Sequence, residues 1–102
     1  MTVKGQLSAC RDFLMAAIRA SIRNELHNEN AGKILQACLD LVEELVRKAD
    51  RVTADEVMTV LDVLTRAAQE LDDDTPASTA VVAAVRNAIG RMQTLRTEMA
   101  AK

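Results

Sequence analysis

Aromatic residues are nearly absent from this chain: Phe13 is the only one, and there is no tryptophan or tyrosine. Without stacking platforms, and with a net charge of -2 and a pI of 5.3, the sequence lacks both the surfaces and the basic field that nucleic-acid binding uses. No apolar run approaches the roughly twenty residues needed to span a bilayer. The opening "MTVKGQLSAC" has no apolar stretch behind a basic one and no small-residue cleavage site. The expectation is a soluble cytoplasmic protein with neither a nucleic-acid nor a membrane partner. In that compartment Cys10 and Cys38, the only cysteines, stay as thiols.

What the chain has in quantity is alanine, leucine, valine and methionine, within 49% hydrophobic and 27% charged residues. This composition belongs to a helical globular protein, and 102 residues suit a single domain. Four amphipathic patterns are readable at three- and four-residue steps. The first, Leu7, Cys10, Leu14, Ala17, Ile18 and Ile22, predicts a helix over 6–27. The second, Ile34, Cys38, Leu41, Leu45 and Ala49, predicts 31–49. Val57, Val60, Leu61, Leu64, Ala68 and Leu71 predict 54–72; the valine-rich stretch from Val81 to Met99 predicts 76–99.

Short breaks separate these helices. Between the first and second patterns the apolar stripe jumps by roughly 200° at 100° per residue, so one straight helix cannot bury both. The stretch "LHNENAGK" sits at that jump. His27, the only histidine, falls in a last helical turn, Asn28 suits the left-handed residue that ends a helix, and Asn30 suits the N-cap of the next. Thr53 and Glu56 read as a capping box. Asp72, Asp73 and Asp74 oppose the dipole of the third helix, and Thr75-Pro76 reads as an N-cap with proline at the first helical position. Gly90 interrupts the fourth helix and reads as a mark of close helix contact. Connections this short force neighbours to run antiparallel, so the fold expected is all-α, an up-down-up-down four-helix bundle with residues 1–5 and the final "AAK" frayed.

Candidate chemistry is sparse. "RNELHNENAGKIL" resembles the phosphoacceptor segment of a class of sensor histidine kinases, which would make His27 the phosphate carrier. Asn28 stands where that family has an acid, Gly32 lies one residue too far away, and the chain has no room for a nucleotide-binding domain, so the kinase reading fails. Glu43-Glu44 and Glu70-x-x-Asp73 resemble parts of the pattern of all-helical nucleoside triphosphate pyrophosphohydrolases, a likeness that implies magnesium held by carboxylates of adjacent helices. Arg47 replaces an acid of that pattern, and pairing about the second turn leaves Glu70 about 15 Å from Glu43 along the axis, too far to share one ion. The same bookkeeping separates Cys10 from Cys38 by about ten residues of rise and excludes an intrachain disulfide. No zinc or haem ligand set, Gly-rich phosphate loop or nucleophile triad is present, so no catalytic, cofactor-binding or metal residue is assigned.

The remaining signal is a surplus of apolar positions. Leu35, Leu39 and Val46 widen the second helix's apolar arc beyond the roughly 100° that one core-facing side requires. Phe13, Met15 and Met58 project away from the principal stripes of their helices. These six residues are the candidate interface of a non-catalytic, homodimeric interaction or regulatory module without cofactors, in which a basic first helix and an acidic third helix orient association. Two alternatives stand beside it: a bundle holding a small apolar ligand between its helices, and a divergent magnesium-dependent nucleotide hydrolase using Glu43, Glu44 and Glu70.

Overall fold

A computed structural model describes residues 2–23 and 30–100 of the chain. Four helices follow one another: α1 (Val3–Arg23), α2 (Ala31–Lys48), α3 (Ala54–Leu71) and α4 (Pro76–Ala100). Each start has a local cause. Thr2 Oγ1 accepts the amide of Gly5 at 3.0 Å and so begins α1 three residues before the periodicity does. Residues 3–5, expected to fray, are therefore helical, and Val3 packs against the core. The capping box of α3 is complete: Thr53 Oγ1 accepts from the Glu56 amide at 3.2 Å, and Glu56 Oε1 accepts from the Thr53 amide at 3.1 Å. At α4, Thr75 Oγ1 accepts from the Ser78 amide at 3.3 Å, while Asp73 Oδ1 holds the Thr75 amide at 3.1 Å.

The α1–α2 connection is described only from Asn30 onward, so the roles read for His27 and Asn28 lie outside the described residues. Asn30 does precede α2, but its backbone is helical (φ −93°, ψ −7°), and its side chain makes no capping bond to the first turn. At the other end of α2, Ala49 takes φ 49° and returns its amide to the Leu45 carbonyl. A single 3-10 turn, Ala49–Arg51, then leads to the extended, buried Val52 and the start of α3.

The helices form an antiparallel bundle whose extents are 42 × 21 × 20 Å. Going round it, α1 packs on α2, α2 on α3, α3 on α4 and α4 back on α1; among the described residues the diagonal pairs α1–α3 and α2–α4 do not pack together. The α1–α4 pair is the most extensive, and α2–α3 the least. Leu7, Leu14, Leu35, Val42, Leu64 and Met92 are wholly enclosed, and each such side chain contributes about 1.5–3 kcal/mol by leaving water.

Every helix of a square bundle has two neighbours, and this explains the wide arc of α2. Leu35 and Leu39, read from sequence as surplus surface, are core residues at 0% and 8% exposure. Ile34 and Leu41, read as the main stripe, lie at its margin: Ile34 is half-buried and Leu41 exposed. Ile22 was also placed in the core stripe of α1 by its spacing, yet it is 73% exposed. The stripes expected for α3 and α4 are buried or packed against the core throughout. Gly90 is not a contact point, since a Cβ built on it meets nothing within 4 Å.

Candidate functional site

The six candidate interface residues do not gather into one patch. Leu35 and Leu39 are inside the bundle. Phe13 and Val46 are half-buried and pack against the core. Met15 and Met58 are each 40% exposed, but they stand on α1 and α3, the diagonal pair. The sulfur of Met58 accepts from Arg96 Nη1 at 3.2 Å, which ties it to the α4 side of α3.

Where apolar surface does form a concavity is the loosely packed seam between α2 and α3. Two open clefts lie along it. One, of about 300 Å³, is lined by Ile34, Ala37, Cys38, Val63, Arg66, Ala67 and Glu70. The other, of about 260 Å³, is lined by Leu41, Leu45, Val60 and Thr59 under the carboxylates of Glu44, Asp55 and Glu56. Helical spacing accounts for the groove: Ile34, Ala37 and Leu41 form a second stripe of α2, three and four residues apart, facing Val60, Val63 and Ala67 of α3. The single methyls of Ala37 and Ala67 leave the surface dipped between larger neighbours. At the lower end Lys48 Nζ meets Glu56 Oε2 at 2.5 Å and joins the two helices. Sequence reasoning assigned Ile34 and Leu41 to the core, so it missed the groove; the signal was the second stripe itself.

Charge is divided between the two halves of the molecule. Residues 31–71, which carry α2 and α3, hold eight acidic and five basic residues, a net −3. The residues of α1 and α4 hold seven basic and two acidic, a net +5. On the acidic half, the Lys48 ammonium and then the Thr53 amide keep the Glu56 carboxyl below its ordinary value. At the far end Asp73 is lowered by the Thr75 hydroxyl and its neighbours.

The residues with chemical potential are dispersed or enclosed. Glu44 belongs to one cleft and Glu70 to the other, and Arg47 takes up Glu44 at 2.5 Å. Among the described residues no group of three or more His, Cys, Asp or Glu side chains is placed to hold a metal ion. Both thiols are free and buried. Burial pushes Cys10 up to about 12, with the charge of Cys38 as a second cause, and burial pushes Cys38 up to about 11. Cys10 Sγ donates to the Ala88 carbonyl at 3.5 Å, so both sulfurs are protonated packing groups at neutral pH.

No helix of the described chain is long and apolar enough to cross a membrane. No protein-family model matches the sequence, and no curated protein or solved structure matches it either. The fold defines a class, the antiparallel four-helix bundle.

Proposed function

We propose that this chain is a non-catalytic binding module that acts by self-association through an apolar helix face. The observation that carries this reading is the α2–α3 groove, where Ile34, Leu41 and Val63 form an apolar floor under charged rims. An apolar concavity with a polar rim is the usual anatomy of a protein-binding surface, and a helix laid into it would bury what the isolated bundle leaves in water. The exposed apolar side chains Met15 and Ile22 of α1 supply a second surface that the monomer does not use. Sedimentation velocity on the intact chain at micromolar concentrations tests the proposal. Association that Leu41→Glu abolishes, with helix content unchanged, is the expected result. A strict monomer across that range would end it.

A further inference from the structure

We infer that the acidic α2–α3 groove receives α1 of a second copy of this chain, in a parallel register set by matched rungs of charge. The inference rests on the self-association reading above and names its surfaces. On α1 the bases Lys4, Arg11, Arg19 and Arg23 follow one another at seven, eight and four residues. On α3 and just beyond it the acids Asp55, Asp62, Glu70 and Asp74 follow at the same seven, eight and four. Every base differs from its acid by 51 positions. At 1.5 Å per residue, the first two intervals are about 10.5 and 12 Å on both helices.

The fold places these ladders at the same height. Gln6 of α1 donates to Glu98 of α4 at 3.4 Å, and Met58 of α3 accepts from Arg96 of α4 at 3.2 Å. Positions 6 and 58 thus reach α4 two residues apart, so α1 and α3 residues about 51 positions apart stand nearly level. Both helices run antiparallel to α4 and hence parallel to each other. A second copy set alongside, with its bundle axis parallel to the first, brings α1 beside α3 in the same direction and each base beside its acid.

The rungs are open for such use. Lys4, Arg19, Arg23, Asp55, Asp62 and Glu70 are exposed, and none of them makes an ion pair among the described residues. Only Arg11 has a partner, its own neighbour Asp12 at 3.8 Å. The register also avoids repulsion, because Arg66 falls opposite Met15 and Asp12 opposite Val63. It sets Met15 and Ile18 level with positions 66 and 69, over the cleft of Ile34, Ala37, Val63 and Ala67. The exposed Met15 thus lies over the cleft in the register that the charges set. A second copy whose axis is inverted would meet the acids in the order four, eight, seven; the two outer rungs would still coincide, but the two inner ones would each fall three residues, about 4.5 Å, out of step.

Because the donating surface on α1 and the accepting groove are different patches, the contact is head-to-tail and either closes as a ring or extends. This arrangement differs from the homodimer expected from sequence. The test uses charge reversal on the intact chain, read by sedimentation. Arg19→Glu and Glu70→Lys should each weaken self-association about tenfold, since like charges then face each other, and an equimolar mixture of the two should restore it, because every contact between unlike variants pairs opposite charges. Arg91→Glu, the same change of charge on α4, should leave association unaltered. Circular dichroism confirms that these surface changes keep the helices. If wild-type chain associates but neither reversal shifts it by more than about twofold, or Arg91→Glu acts as strongly as Arg19→Glu, the α1-in-groove arrangement is overturned while self-association stands. If wild-type chain stays monomeric, both fall.

Discussion

Lys48 in the last turn of α2 and Glu56 in the first turn of α3 form an ion pair at 2.5 Å, eight residues apart across the turn that reverses the chain. Glu56 thus serves twice, since its other oxygen closes the capping box on Thr53. The pair is part-exposed and sits where the α2–α3 groove ends.

Acid should loosen this corner. The folded Glu56 carboxyl is held below its ordinary 4.5 by Lys48 and Thr53, so its contribution is complete above about pH 4.5 and is lost as pH falls through the lower folded value. Thermal melts of wild type and Glu56→Gln should differ at about pH 7 and converge as pH falls through the lowered folded value. High salt should narrow the difference at neutral pH, because solvent ions screen an exposed pair. Equal melting of the two proteins at neutral pH would contradict the assignment.

Alkali should act through the thiols. Burial raises Cys10 to about 12 and Cys38 to about 11 from an ordinary 9.0, so the folded chain holds these protons more tightly than the unfolded one. Stability from this source is present below pH 9 and declines as pH climbs from 9 toward 11 and 12. At mildly alkaline pH neither thiol should react with a disulfide reagent in the native protein, and both should react at once in denaturant. Rapid labelling of the native chain would show that the core is open.

The two kinds of apolar residue on the candidate list should separate in stability. Leu35→Ala removes a side chain with 0% exposure and should cost about 2–5 kcal/mol. Met15→Ala, at 40% exposure, should change monomer stability by no more than about 0.5 kcal/mol. Chemical denaturation of both variants at a concentration where the chain is monomeric gives the comparison.

Two glycine exchanges should each stabilise the fold. Gly90 lies within α4 with open space at its Cβ position, so Gly90→Ala should gain about 0.5–1 kcal/mol from lower backbone entropy in the unfolded chain. Ala49, at φ 49° and ψ −112°, holds a conformation that a Cβ disfavours, and Ala49→Gly should relieve about 1 kcal/mol of strain. Differential scanning calorimetry would register both as raised melting temperatures.

Much of the architecture is a local matter and was therefore legible without coordinates. Thr53 and Glu56 cap α3 because three residues of sequence put an oxygen and an amide within reach. Pro76 opens α4, and the aspartate run closes α3, for reasons equally contained within a turn. The number of helices, their starts near 31, 54 and 76, and the buried faces of α3 and α4 all come from such spacing. Tertiary structure alone decided which part of a wide arc lies deep. Ile34 and Leu35 are adjacent and equally apolar, yet Leu35 is wholly buried and Ile34 falls at the α2–α3 margin. Periodicity reports that a face is apolar, whereas depth depends on where the neighbouring helices stand, and their positions are set by the packing of the whole bundle. Ile22 lies exposed and the groove lies open for that reason.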